Sequence, residues 1–100
     1  MPVKKLIVEV IDVKEKCDAM LKVGDKWTIT EDFCIEGKKV CYFAVSSLMP
    51  VLFALQTGTE PKEMGLSKED GVAYMQCSDP GPPLTPGGTV TFKIKFLEEP

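Results

Sequence analysis

The chain has 100 residues, a formal net charge of −3 and a sequence pI of about 4.9. A chain this short fills one hydrophobic core, so residues 1–100 are expected to form a single domain. Nucleic-acid binding needs a clustered basic face, whereas the lysines here stand in scattered pairs beside acidic residues, which excludes nucleic acid as a partner.

Residue types that often build functional sites are missing. All 12 basic residues are lysine, and the chain has no histidine, arginine or asparagine. Without histidine, serine–histidine and cysteine–histidine catalysis cannot be assembled within one chain. Without arginine, the usual bidentate clamp for carboxylate or phosphate is absent. Any catalysis must therefore use cysteine, carboxylate, lysine, tyrosine, backbone amides or a bound cofactor.

The N-terminal segment MPVKKLIVEV is expected to be a strand and not a secretory signal. It has two lysines but no long apolar stretch and no small-residue cleavage site. The protein is therefore expected in the cytoplasm, where its four cysteines stay reduced.

The first predicted strand runs from Val3 to Val13. It is apolar on both faces, which is typical of a central strand or of one covered on both sides. One face carries Leu6, Val8 and Val10, and the other carries Ile7, Ile11 and Val13.

A second strand follows the turn at Gly24–Asp25 and alternates around Trp27 and Ile29. Residues 31–39 are expected to form a hairpin or a loop.

The segment from Val40 to Thr59 carries no formal charge over 20 residues, which raises the possibility of a membrane span. Its two serines, its proline and the polar pair Gln56–Thr57 argue against one, so no membrane partner is predicted. We expect instead one main helix over about residues 46–57, with Ser46 or Ser47 as its N-cap and Pro50 in its first turn. Gly58 is expected to end it.

The predicted helix is apolar on nearly every side. Its main apolar face is expected to contain Leu48, Val51, Leu52 and Leu55. Because Phe53 and Ala54 on the remaining sides are apolar as well, little of this helix suits water. A 100-residue monomer has little chain with which to cover it, so the sequence favours a homo-oligomer.

Two further strands complete the pattern. Val72 to Cys77 is expected to be a buried strand, and residues 80–88 form a Pro/Gly-rich loop. In the last strand, one face carries Val90, Phe92, Ile94 and Phe96. The order of elements predicts an α+β fold: a small, mostly antiparallel sheet of four to five strands packed with one main helix.

Three segments of the chain form a pattern together: KVGDKW, CYFAVSSLMPVLFALQTG and VAYMQCSDPGPPLTPGGTVTFKI. They resemble a family of short prokaryotic cysteine-containing proteins of uncharacterised function. On that resemblance Cys17, Cys41 and Cys77 are the matching cysteines, and Cys34 is extra. Family members often have tryptophan after the helix cysteine, where this chain has Tyr42 and Phe43. The resemblance implies a cytoplasmic, cysteine-bearing domain and supplies no activity.

The cysteines have three interpretations. No C-x-x-C pair is present, so the pattern for zinc is weak, although Cys17, Cys41 and Cys77 could converge on zinc or an iron–sulfur cluster. Free cysteines are also often plain core residues, and no cofactor is predicted on that interpretation. The third interpretation is a reactive thiol.

Cys41 is the best single candidate for chemistry. It is expected at or just before the N-terminus of the main helix, where unpaired N–H groups and the helix dipole favour a thiolate. Cys77 would lie at the mouth of the Pro/Gly loop, with Asp79 as an acid or base and Tyr42 as a proton donor. A small anionic ligand would bind at the helix N-terminus.

These patterns support three functional hypotheses. The first is an oligomeric enzyme or ligand-binding protein with the cysteine-containing pocket. The second is a cysteine-ligated metal or iron–sulfur accessory protein. The third is an interaction module whose cysteines only pack, and which acts by oligomerising or by docking to a larger protein.

Overall fold

The structure is a computed structural model that describes residues 3–14, 21–37, 40, 42–76 and 89–97, with the side chains of Tyr42 and Phe43 excepted. It contains five strands and one helix in these ranges. They are β1 (Leu6–Lys14), β2 (Lys26–Ile29), β3 (Ile35–Glu36), α1 (Tyr42–Gln56), β4 (Val72–Gln76) and β5 (Thr89–Phe96). The predicted α+β class, with one antiparallel sheet and a single main helix, is confirmed.

All strand pairs in the sheet are antiparallel, and the spatial order is β3-β2-β1-β5-β4. β1 therefore lies in the centre, as its apolar composition indicates. The chain leaves one edge of the sheet after β3, crosses it as α1, and returns at the opposite edge as β4. This path places α1 over one face of the sheet.

A β-bulge divides β1. The register against β5 shifts between Val10 and Asp12, so Ile11 is the extra residue. Because side chains alternate along a strand, the bulge moves Val13 onto the core face, where it packs beside Val90. The prediction that Val13 shares a face with Ile7 and Ile11 is therefore wrong, and Ile11 is exposed.

The core lies between α1 and the sheet. Trp27 and Phe92 pack with their ring centroids 5.3 Å apart at its centre. The helix contributes Ala44, Val45, Leu48, Leu52 and Leu55, and the sheet contributes Leu6, Val8, Val10, Trp27, Ile29, Ala73, Val90, Phe92 and Ile94. The residues that alternate with the core residues along the strands point to the opposite face of the sheet. They include the charged residues Lys26, Glu9 and Lys93, which lie side by side on neighbouring strands.

The helix begins earlier than the sequence predicts. α1 starts at Tyr42, so neither Ser46 nor Ser47 is its N-cap and Pro50 lies in its interior. Pro50 cannot donate a hydrogen bond to the Ser46 carbonyl. Both residues lie on the exposed side of the helix, where water can supply the missing donor.

The C-terminal end of α1 agrees with the prediction. Gly58 has a φ of 113°, and the Thr59 N–H donates to the Ala54 carbonyl at 3.0 Å while the Gly58 N–H donates to the Leu55 carbonyl at 3.2 Å. This is the Schellman arrangement, in which glycine adopts the left-handed conformation that ends a helix.

β4 is an edge strand and not the buried strand predicted. Of its five residues only Ala73 is buried. The segment before it covers part of this edge, because the Tyr74 N–H donates to the Leu66 carbonyl at 3.0 Å.

Candidate functional site

The predicted cysteine pocket falls largely outside the described residues. Cys17, Cys41, Cys77 and Asp79 lie outside the described ranges, and Tyr42 is described only as the first residue of α1. The predicted catalytic and metal-ligand roles of these residues therefore stay predictions.

Cys34 is the described cysteine, and it belongs to the turn between β2 and β3. Its thiol is free and exposed. The Sγ atom of Cys34 lies 3.8 Å from the Asp32 carbonyl oxygen. The backbone N–H of Cys34 donates to the Thr30 hydroxyl at 3.0 Å. Cys34 thus has backbone contacts that fix a turn.

That turn has an unusual residue at its most constrained position. The Phe33 N–H donates to the Thr30 carbonyl at 3.1 Å, and the Thr30 N–H donates to the Cys34 carbonyl at 2.8 Å. This pattern is a type I turn followed by a residue in the left-handed region, where glycine is usual. Here the residue is Phe33, with a φ of 65°.

The Thr30 hydroxyl organises the carboxylate at the tip of the turn. It donates a hydrogen bond to Asp32 Oδ1. This hydrogen bond is the largest cause of a lowered pKa for the Asp32 carboxyl, since it favours the ionised form. The turn therefore presents a fixed negative charge to solvent.

The left-handed conformation of Phe33 places its ring against α1. The rings of Phe33 and Phe53 stack with centroids 5.6 Å apart and an interplanar angle of 29°. Both rings stay largely in contact with solvent, at 50% and 58% exposure. The hairpin and the helix therefore meet through a pair of aromatic rings that neither element buries.

An apolar groove lies between the β2–β3 hairpin and α1. It has a volume of about 360 Å³. Its lining is Ile29, Phe33, Ile35, Val45, Met49, Leu52, Phe53 and Gln56. Apolar clefts of this size with one polar group are typical of binding sites in proteins.

Gln56 supplies the polar group of the apolar groove, and it is 2% exposed. Its Nε2 donates to the Thr30 carbonyl at 2.8 Å and to the Lys4 carbonyl at 3.0 Å. The Lys4 N–H in turn donates to the Gln56 carbonyl at 2.9 Å. Gln56 thus holds the end of α1 to both the segment before β1 and the hairpin, the two elements that border the groove being α1 and the hairpin.

Four apolar side chains around the apolar groove face solvent. We call them the docking face: Phe33, Ile35, Met49 and Phe53, exposed by 50%, 38%, 56% and 58%. Two belong to the hairpin and two to α1. The helix adds no charge to this surface, since Val40 to Thr59 contains no charged residue.

A polar depression lies on the opposite side of the same hairpin. It is lined by Lys5, Thr28, Thr30, Glu31, Asp32 and Glu36. Lys5 and Glu31 form an ion pair at 3.6 Å. These are exposed or half-exposed charges that water can solvate, and nothing in their arrangement selects a ligand.

Within the described ranges, no three cysteine, aspartate or glutamate side chains are placed to share a metal ion. In the same part of the chain, no helix is both long and apolar enough to cross a membrane.

The sequence predicts that the outer side of the helix is apolar, but it does not predict the apolar groove beside it. The excess of apolar residues on the helix indicates a surface that needs cover, which is where Met49 and Phe53 lie. Phe33 contributes to the groove through its left-handed backbone conformation. The residue types of the Thr-Glu-Asp-Phe turn do not predict that conformation.

Comparison of the chain with protein-family models, with curated proteins and with solved structures gave no match.

Proposed function

We propose that this protein is an interaction module that self-associates, and that the docking face is where two copies meet. The observation that carries the proposal is the cluster of four exposed apolar side chains around the apolar groove. Exposed apolar residues scattered singly are normal on a protein surface, whereas a contiguous cluster marks an interaction site.

The area of the docking face supports a protein partner. Large side chains present roughly 150–250 Å² each, so four of them at about half exposure leave on the order of 400 Å² of apolar surface. A stable interface buries roughly 800 Å² per partner. The docking face would supply about half of this area, as the apolar centre of an interface with a polar rim.

The sequence favours a homo-oligomer because the helix is apolar on nearly every side, and that apolar surface also supports this proposal. The core-facing residues of α1 are covered by the sheet, and its outer side remains apolar at Met49 and Phe53. A second copy brings the same apolar surface, so both copies lose exposed apolar area on association.

Sedimentation equilibrium over roughly a thousandfold range of protein concentration tests the proposal. We expect the wild-type mass to rise with concentration from 11.0 kDa toward twice that value. Met49→Lys should weaken association roughly 30-fold or more, because a charge replaces a central apolar contact whose loss costs about 2 kcal/mol.

Val23→Lys is the matched control. Val23 is the most exposed large apolar residue in the described part of the chain, at 65%. It lies in the turn before β2, at the end of that strand farther from the apolar groove. This variant should associate like the wild type. A wild-type chain that stays at 11.0 kDa at every concentration would contradict the proposal.

A further inference from the structure

We infer that the two copies pair through a two-fold axis, with their α1 helices antiparallel and Met49 of each copy against the partner's Phe53. This inference rests on the proposed self-association and specifies its geometry. In this arrangement each apolar groove is completed by a side chain from the other copy, so neither groove is complete in the monomer.

Charge does not oppose a two-fold pairing on this face. A two-fold axis brings a surface against its own copy, so a charged surface meets charge of the same sign. The chain carries a net charge of −3, and the hairpin beside the apolar groove carries acidic residues on its other side. The outer side of α1 has no formal charge and meets its own copy without like-charge repulsion. Among the helix side chains that the structure describes, the exposed ones are Ser46, Met49, Pro50 and Phe53.

The spacing along α1 determines which residues meet. The two exposed apolar residues of this surface, Met49 and Phe53, are four positions apart, so the midpoint between them lies at position 51. When two antiparallel helices cross at that point, residues equally far before and after it face one another. Met49 then lies opposite the partner's Phe53.

The two side chains in the proposed contact suit each other. Phe53 is held by its stack on Phe33, so it presents a fixed ring beside the apolar groove. Met49 has three rotatable bonds and a polarisable sulfur, which lets it fill an irregular space and contact a ring edge favourably. The volume of about 360 Å³ accommodates an entering methionine side chain.

Two charge variants that should be defective alone but pair when mixed test this geometry. Met49→Lys and Phe53→Glu each place an unpaired charge in both contacts of a homodimer, so each chain alone should dissociate at least tenfold more readily than the wild type. In an equimolar mixture, a mixed dimer has one Lys–Glu contact and one native Met–Phe contact. Because the two chains differ in mass, native mass spectrometry distinguishes the mixed dimer from each homodimer. We expect it to show mixed dimers in at least tenfold excess over either homodimer.

Met49→Lys mixed with Val23→Glu is the control, since it adds the same charges without placing them in one contact. In that mixture the Val23→Glu homodimer should outnumber the mixed dimer, because only that homodimer keeps both native Met–Phe contacts. If the Met49→Lys and Phe53→Glu chains are each monomeric and stay monomeric when mixed, the reciprocal contact is wrong while self-association through this face stands. If both variants associate as tightly as the wild type, the docking face is not the interface and the proposed function fails as well.

Discussion

Phe33 occupies a backbone conformation that opposes its own side chain. At a φ of 65°, a residue with a Cβ atom costs roughly 1–2 kcal/mol relative to glycine. The half-exposed ring recovers part of this through its stack on Phe53, since an aromatic pair contributes about 0.5–1.5 kcal/mol. The position therefore adds little to the stability of the monomer, but it sets one wall of the apolar groove.

Replacing Phe33 by alanine and by glycine should separate the cost of the left-handed backbone from the stabilisation by the aromatic stack. Phe33→Ala loses the stack and keeps the strain, whereas Phe33→Gly loses both. We expect Phe33→Gly to be more stable than Phe33→Ala by about 1 kcal/mol in urea unfolding. Both should weaken self-association at least tenfold, because the wall of the apolar groove is lost from each.

The same pair of changes at Phe53 is the control. Phe53 lies inside α1, where alanine is favoured over glycine by about 1 kcal/mol, so the order of the two variants should reverse. An alanine variant at position 33 that matches or exceeds the glycine variant in stability would show that the left-handed conformation carries no strain.

At the scale of a single element, Pro50 is the feature of α1 that needs an explanation. A proline in the interior of a helix removes a hydrogen bond and clashes with the preceding turn, at a cost of about 3 kcal/mol. The proline also lowers the conformational entropy of the unfolded chain, which stabilises the folded protein by roughly 0.4–1 kcal/mol. Pro50→Ala should therefore stabilise the protein by about 2 kcal/mol, and thermal unfolding should shift upward by roughly 10 °C.

Pro61→Ala is the comparison for this prediction. Pro61 is buried in the turn after α1, so its loss removes packing and restores no helix hydrogen bond. This variant should be less stable than the wild type. If Pro50→Ala is destabilising too, the proline ring contributes packing on the outer side of α1 that exceeds the gain in helix geometry.

The helix also shows what local patterns can and cannot predict. Its core-facing residues and its end at Gly58 follow from apolar spacing and from the need for a left-handed residue. Its start does not, because the rule that a proline belongs in the first turn fails here. Burial of Ala44 and Val45 against the sheet favours the added N-terminal turn, and that tertiary contribution is absent from local sequence rules.

At the scale of the whole molecule, the pattern of apolar residues predicts a helix packed on a sheet, but it does not predict the full pairing register of the strands. The apolar alternation of β5 and the central place of β1 follow from which residues need cover. The bulge at Ile11 does not, because an extra residue in a Val/Ile-rich strand leaves the pattern of residue types unchanged. One such residue is enough to turn Val13 toward the core.

Gln56 joins three parts of the fold, and its replacement should affect all three. Gln56→Leu keeps a similar volume but removes the donor to the Lys4 and Thr30 carbonyls. Each hydrogen bond contributes about 1 kcal/mol, so we expect a loss of about 2 kcal/mol in urea unfolding. Hydrogen exchange at the Lys4 amide, which donates to the Gln56 carbonyl, should accelerate, because the helix end is then held less firmly to the segment before β1.

The same change at an exposed glutamine isolates the effect of these contacts. Gln76→Leu lies at the end of β4 and is exposed, so its stability should stay within about 0.5 kcal/mol of the wild type. Self-association gives a second readout, since a loosened helix end widens the apolar groove and should weaken pairing of the Gln56→Leu chain only. If both leucine variants unfold at the same urea concentration and associate equally, Gln56 does not hold the groove, and its width must be set by the Phe33–Phe53 stack and the surrounding core.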